Sequence, residues 1–218
     1  MGISPTEDGQ DMKYYTKEIF KKDDGVTKMN SSDFFVFYPI RKQCVVGMGE
    51  NKRNRMTKQT QPEPIYTIES TLEFNPVKIS CSRNSTFLLA EGGLLYSTGD
   101  KYGHHHEEFT LMKMPEKTQP PQKVFCGRKC KFVITEDGKT YFMGEEVDSE
   151  LAVDSPQKEF AEFKLTKDES NTEKIVDIAC GIWYNLFVTD QGKLWASGRN
   201  MLKRLKIDSK EVQPIPLS

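Results

Sequence analysis

The sequence predicts an all-β fold built from repeated four-stranded sheets. Three segments of equal length, 81–99, 126–144 and 180–198, align with one another without gaps. Each contains a short run of apolar, β-forming residues, a glycine at a chain reversal and a second run that ends in glycine. No apolar pattern with the 3.6-residue period of a helix spans these segments, and glycines interrupt them, so we reject a helical repeat.

The centre of each copy predicts a β-hairpin. The runs Phe132–Ile134 and Leu186–Val188 are short and apolar, as in strands that are buried on both faces. The chain then reverses at Gly138 and at Gly192, where glycine supplies the positive φ that tight hairpin turns need. A second strand follows in each copy, with an aromatic residue at one matched position. The repeat is marked by the following positions: Cys81, Gly99, Cys126, Gly138, Gly144, Cys180, Gly192 and Gly198.

Further strands are predicted upstream of each cysteine. Val77–Ile79 and Val176–Ile178 are short β-forming runs, and the alternating segments Phe109–Leu111 and Phe160–Leu165 lie still further upstream of the next cysteine. The total is four short strands for each period of about 50 residues, which is typical of the blades of a β-propeller. A partial copy precedes the others, so that we expect blades to end at Gly49, Gly99, Gly144 and Gly198.

These residues resemble repeats of the regulator of chromosome condensation family. The match to the family pattern rests on the following residues: Thr86, Leu89, Gly93, Tyr96, Gly99, Gly127, Gly138, Tyr141, Gly144, Gly181, Gly192, Leu194, Trp195 and Gly198. The sequence departs from the family at its histidine, which is replaced by Ser85, Cys130 and Tyr184. The resemblance implies a seven-bladed propeller, of which this chain would hold about half: three full four-stranded blades plus partial terminal blades.

The chain is expected to divide into two parts. Residues 1–31 are polar and predict a flexible N-terminal tail, and residues 32–218 predict the partial propeller domain. An open half-propeller would expose two sheet edges and an apolar face. Three explanations stay open, which are a piece of a longer protein, completion by another subunit, and closure into a small four-bladed ring. We favour the first two.

Composition narrows the classes of function. The chain has 218 residues, 31 basic and 32 acidic side chains and a net charge of −1, which argues against a general nucleic-acid binder. No apolar stretch is long enough to predict a membrane span. The five cysteines are widely spaced and odd in number, which favours a reducing compartment. We therefore expect an intracellular protein, cytoplasmic or alternatively nuclear.

The connectors after the blade-ending glycines are the candidate binding residues. They occupy equivalent places in the repeat, so we expect them on one face of the propeller, as a rim of mixed charge that faces a protein partner. Ordinary solvated loops are the alternative interpretation. The histidines lack a ligand set with fixed spacing, so neither a metal site nor a cofactor is predicted. The rim residues are Lys52, Arg53, Arg55, His104, His105, His106, Glu145, Glu146, Lys203 and Arg204.

The sequence predicts no enzyme, because it contains no phosphate-binding loop, nucleophile elbow or zinc-protease motif. The leading hypothesis is a non-catalytic interaction module or scaffold, with other protein subunits or a second half-propeller as partners. Trp183 and Tyr184 are expected to fill the core near the propeller axis, with a partner anchor as the alternative. The family resemblance implies a second hypothesis, guanine-nucleotide exchange on a Ran-like small GTPase.

Overall fold

The computed structural model describes residues 30–32, 35–41, 44–49, 66–82, 85–101, 104–128, 130–144, 157–166, 168–181, 184–198 and 213–215. In 30–71, 100–107 and 213–215 the description is of the backbone. The described residues form four antiparallel sheets of four strands each, and every sheet consists of strands that are consecutive in the sequence. The all-β propeller architecture predicted from the repeats is confirmed.

The first two sheets cover residues 30–112. The first consists of β1 (Asn30–Ser32), β2 (Phe35–Arg41), β3 (Cys44–Gly49) and β4 (Tyr66–Thr71). The second consists of β5 (Pro76–Cys81), β6 (Ser85–Ala90), β7 (Leu95–Lys101) and β8 (His104–Met112), with a short 3₁₀ turn (Glu91–Gly93) between β6 and β7. Strand β1 begins two residues before the predicted start of the propeller domain, and residues 1–29 of the predicted tail lie outside the described residues.

The last two sheets cover residues 121–215. The third consists of β9 (Pro121–Cys126), β10 (Cys130–Thr135), β11 (Thr140–Gly144) and β12 (Gln157–Phe163). The fourth consists of β13 (Ile175–Cys180), β14 (Tyr184–Thr189), β15 (Leu194–Gly198) and β16 (Gln213–Ile215). The partial terminal blades expected from the sequence are thus four-stranded sheets that each contain one strand of three residues, β1 and β16.

The alternating segments belong to a different sheet from the one that the sequence suggested. They lie in β8 and β12, which close the second and third sheets and do not open the sheets that follow. Tyr96 in β7 pairs with Leu111, and Phe142 in β11 pairs with Ala161. The reason is that the chain turns back antiparallel after each hairpin, which satisfies the backbone groups on the outer side of the second hairpin strand.

The four sheets do not end at the predicted glycines, because a fourth strand follows in each sheet. Gly49, Gly144 and Gly198 end the third strands β3, β11 and β15. Gly99 lies inside β7, which continues to Lys101. There the chain gains further backbone pairing, since Gly99, Asp100 and Lys101 pair with His106, His105 and His104 of β8. The predicted loop at His104–His106 is therefore wrong as well, and these histidines lie in a strand.

The hairpin turns follow the prediction. Gly138 has a φ of 81° and Gly192 a φ of 73°, in the left-handed region that favours glycine. In the third sheet the amide of Thr135 donates to the Lys139 carbonyl at 2.9 Å, and in the fourth sheet Thr189 donates to Lys193 at 3.0 Å. The two turns are thus built in the same way from the same spacing of residues.

Consecutive sheets pack face to face, and their first strands β1, β5, β9 and β13 lie next to one another. This arrangement is the one expected of blades around a common axis. We call the interface between two consecutive sheets a joint. The joint between the third and fourth sheets is filled by aromatic rings: Phe132 contacts Phe163 and Phe187 edge to face, with 5.6 Å between ring centroids in both cases. Within the described ranges, no helix is long and apolar enough to cross a membrane.

Candidate interaction surface

The register of the strands makes the sheets comparable residue by residue. The first residue of the second strand pairs with the glycine near the end of the third strand in each case: Ser85 with Gly99, Cys130 with Gly144 and Tyr184 with Gly198. Phe132 and Leu186 are therefore equivalent positions, and so are Ile134 and Val188. A difference in burial between such positions reflects what packs on the sheet.

The second strands differ sharply in burial. All six residues of β6 and of β10 are buried, whereas every other residue of β14 is at least partly exposed. Val188 is 38% exposed, whereas its equivalent Ile134 is 3% exposed. Because alternate residues of a strand point to opposite faces, one face of the fourth sheet is covered and the other is open.

The open face consists of Tyr184, Leu186 and Val188. The equivalent face of the third sheet is covered by the fourth sheet, whose Phe187 packs in the same cluster as Phe132 and Ile134. The part of the chain that the structure describes contains four sheets, so no fifth sheet from these residues packs on the open face. An apolar sheet face of this kind is a candidate protein-binding surface.

Tyr184 lies at one end of the open face and is half-buried. It packs, together with Leu186, against Ala196. A Cβ atom on Gly181 would stand 2.8 Å from the Cζ atom of Tyr184, so the ring lies over the turn that precedes β14. Tyr184 is therefore neither fully buried nor fully exposed, and its two predicted roles, core filler and partner anchor, stay predictions. Trp183 lies outside the described residues.

In two of the joints, near the first strands, a lysine of one sheet donates a hydrogen bond to the next sheet. The Nζ of Lys78 donates to the carbonyl oxygen of Gln122 in the next sheet at 3.0 Å. The Nζ of Lys123, at the equivalent position, donates to the carbonyl of Val176 at 2.6 Å. The fourth sheet has an exposed aspartate, Asp177, at this position. Asp177 Oδ1 accepts a hydrogen bond from the backbone N–H of Ile178 at 3.0 Å. A carboxylate cannot donate to a carbonyl, so the contact that the two lysines make is not repeated at this position of the fourth sheet.

A hydrogen-bonded carboxylate, Glu173, lies just before β13, the first strand of the fourth sheet. Glu173 accepts hydrogen bonds from Lys193 Nζ at 2.5 Å and from Trp195 Nε1 at 3.1 Å. The hydrogen bond from Lys193 is the main cause that holds the pKa of Glu173 below its usual value, and partial burial opposes it. Trp195 packs with its ring against the cluster between the third and fourth sheets. The hydrogen bonds of Glu173 therefore hold Trp195 on the covered face of the fourth sheet and do not involve the residues of the open face.

The predicted charged rim falls mostly outside the described residues. This holds for Lys52, Arg53, Arg55, Glu145, Glu146, Lys203 and Arg204. The three histidines are described by their backbone in β8, so the rim of connectors does not include them as predicted. Among the side chains that the structure describes, no group of three or more His, Cys, Asp or Glu could hold a metal ion.

Comparison with known proteins supports the repeat and the fold. A family model for the regulator of chromosome condensation (RCC1) repeat matches residues 175–200, which contain β13, β14 and β15. No curated protein sequence matches the chain significantly. The chain thus carries an RCC1 repeat, as the sequence predicted.

Solved propellers match most of the chain. The crystal structure of human WBSCR16 aligns with a TM-score of 0.70 and 18% identity over 88% of this chain and 52% of that protein. Prp20p from Saccharomyces cerevisiae aligns with a TM-score of 0.70 and 12% identity over 90% of this chain and 52% of Prp20p, which was described together with its binding properties to Gsp1p and histones. The chain spans about half the length of these structures. At such identities the likeness shows the fold, which is that of half an RCC1-type propeller.

Sequence reasoning missed the open face and the lysines that cross the joints. The replacement of a lysine by Asp177 was visible, because Lys78 and Lys123 precede the repeat cysteines at the same distance. The partial exposure of β14 could not be predicted, because the apolar run Leu186–Val188 is typical of a strand that is buried on both faces.

Proposed function

We propose that this RCC1-like repeat protein is a non-catalytic interaction module inside the cell, and that its binding surface is the open face of the fourth sheet. The observation that carries the proposal is the exposure of Val188 at a position where the third sheet buries Ile134. The equivalent faces of the second and third sheets each receive another sheet of the same repeat. The open face therefore has the shape and chemistry to receive one more sheet of this type.

The occupant that we propose is a second copy of this chain. Within one chain, the face of the third sheet that is equivalent to the open face receives the next sheet of the same repeat, in which Ile178 and Phe187 take part. The chain spans about half of the propellers that it matches, so two copies hold enough sheets for a ring of that size. A symmetric pair of chains is also the commonest form of soluble assembly.

Sedimentation velocity of the full chain over a range of concentrations tests the proposal. We expect the wild-type chain to form a species of twice its 25.0 kDa mass, and Val188→Asp to abolish that species, because the carboxylate would be buried in an apolar joint. Leu111→Asp is the matched control, since Leu111 is 51% exposed on β8, away from the open face, and should leave the association unchanged.

Two results would overturn the assignment. The first is a wild-type chain that stays at 25.0 kDa at all concentrations, which removes the second copy as occupant. The second is association that Val188→Asp and Leu111→Asp weaken equally, which places the contact elsewhere.

Guanine-nucleotide exchange on a Ran-like small GTPase is the second candidate function. The fold likeness to yeast Prp20p favours it, but fold alone does not carry an activity. A nucleotide-release assay with a panel of small GTPases tests it. We expect faster release from at least one GTPase if this candidate holds, and an unchanged rate for every GTPase would eliminate it.

A further inference from the structure

The joint between the third and fourth sheets contains two thiols at positions that face each other in the repeat. Cys130 is equivalent to Ser85, because each begins the second strand of its sheet opposite a glycine. Cys180 is equivalent to Cys126, because each ends the first strand of its sheet. In the preceding joint the Oγ of Ser85 and the Sγ of Cys126 lie 3.5 Å apart. The repeat thus brings Cys130 and Cys180 to the two sides of an equivalent contact.

Gly127 gives independent evidence that the two cysteines share one space. A Cβ atom built on Gly127 would stand 2.6 Å from the Sγ of Cys130 and 3.1 Å from the Cβ of Cys180. In the second sheet the equivalent residue is Ser82, whose Oγ lies 3.3 Å from the Oγ of Ser85. The glycine leaves this space without a side chain of its own, so nothing from residue 127 separates the two thiols.

The neighbouring Cys126 faces a different joint. Its Sγ lies against Ser85 of the second sheet, whereas the Sγ of Cys130 lies 3.7 Å from Oδ1 of Asn185 in the fourth sheet. The two cysteines of the third sheet therefore point to opposite faces, although only four positions separate them in the sequence. No disulfide joins the four cysteines whose side chains the structure describes.

We propose that Cys130 and Cys180 form a reversible disulfide that locks the third sheet to the fourth, and that a peroxide is the oxidant. This modification site goes beyond the proposed function and does not depend on it. Cys180 is partly exposed and Cys130 is buried, which assigns them different roles. The accessible thiol reacts with the oxidant, and the buried thiol resolves the product.

The chemistry balances in two steps. The thiolate of Cys180 attacks one oxygen of hydrogen peroxide, the O–O bond breaks, and the products are the sulfenic acid of Cys180 and hydroxide. The thiol of Cys130 then attacks the sulfur of that sulfenic acid, the S–S bond forms, and the S–O bond breaks with release of water. Peroxide is reduced by two electrons, which the two sulfur atoms supply. A thiol reductant reverses the modification.

The test is peptide mapping of the full chain after treatment with hydrogen peroxide. Cleavage after Lys and Arg separates Cys126 from Cys130, because Arg128 and Lys129 lie between them. We expect one cross-linked species that joins the Cys130 peptide to residues 175–193, about 2 Da lighter than the two reduced peptides together. We also expect the oxidised chain to unfold at a temperature higher by several degrees than the reduced chain.

Serine variants decide the assignment. Cys130→Ser recreates the Ser85–Cys126 contact that the preceding joint already contains, so this variant is expected to fold. Cys130→Ser and Cys180→Ser should each lose the cross-link and the rise in unfolding temperature, whereas the control Cys126→Ser should keep both. The proposal is overturned if the folded wild-type chain yields only singly oxidised cysteines, if the cross-link joins Cys126 to another residue, or if it joins two chains.

Discussion

The third and fourth sheets have the same strand order and the same register, yet they differ in burial. The second strand of the third sheet is buried along its whole length, and the second strand of the fourth sheet is buried at every other residue. The central residues are apolar in both strands, as in Phe132–Ile134 and Leu186–Val188. The comparison shows that the neighbouring sheet, and not the strand's own composition, decides how much of an apolar strand becomes core.

The two sheets also differ in what crosses their joints. Lys123 extends from the third sheet to a carbonyl of the fourth, whereas the fourth sheet carries Asp177 at that position. Lys174 of the fourth sheet reaches back to the turn of the third, where its Nζ donates to the Asp137 carbonyl at 3.0 Å. Both polar contacts lie near the β10–β11 turn of the third sheet, because Lys123 pairs with Ile134 just before that turn, and they accompany the aromatic packing of the joint.

The largest effect is expected from truncation of the equivalent core residues. Phe132→Ala should destabilise the fold by about 4 kcal/mol, because it leaves a cavity among Phe163 and Phe187. Leu186→Ala should cost about 1 kcal/mol, because its side chain is already partly in water. Urea denaturation measures both values at a protein concentration at which the chain is monomeric. Equal costs would show that the open face is as well covered in solution as the face of the third sheet.

Alanine substitutions of the turn glycines are expected to give a smaller difference in stability between the two sheets. Gly138 and Gly192 both have positive φ, so alanine at either position should cost about 1 kcal/mol of backbone strain. At Gly138 the new Cβ would also lie 2.9 Å from Cδ of Lys174, whereas nothing lies within 4 Å at Gly192. We expect Gly138→Ala to be the more destabilising, by roughly 0.5 kcal/mol, when the two urea midpoints are compared. The reverse order would mean that Lys174 does not rest on the turn in solution.

The hairpins could be predicted from the sequence because their determinants are local. A glycine at Gly138 or Gly192 and the apolar run before it fix the turn and the two strands around it. The assignment of β8 and β12 to their sheets could not be predicted in this way. An alternating strand between two hairpins can pair with either one, and the choice depends on chain reversal in three dimensions.

The candidate site was harder to predict than the fold. The predicted rim rested on connectors, and the structure places His104–His106 in a strand because the backbone pairing of β7 continues past Gly99. The open face depends on the absence of a neighbour among the described sheets, which no local pattern encodes. The contacts of Lys78 and Lys123 join residues 44 and 53 positions apart, so only the fold reveals them.

The smallest expected effect on stability comes from Glu173, a carboxylate before the first strand of the fourth sheet. The third sheet has no such carboxylate, because Gln119 stands at the equivalent position. The pKa of Glu173 is lowered in the folded chain, mainly by Lys193, so its ionised form contributes stability above the usual glutamate pKa of about 4.3. Glu173→Gln should cost roughly 0.5 kcal/mol at pH 7. This difference should fade as the pH falls through the lowered pKa, where wild-type Glu173 is also neutral. Urea denaturation at pH 7 and at successively lower pH measures it, and a difference that persists in acid would assign the contribution to the hydrogen bond from Trp195 and not to charge.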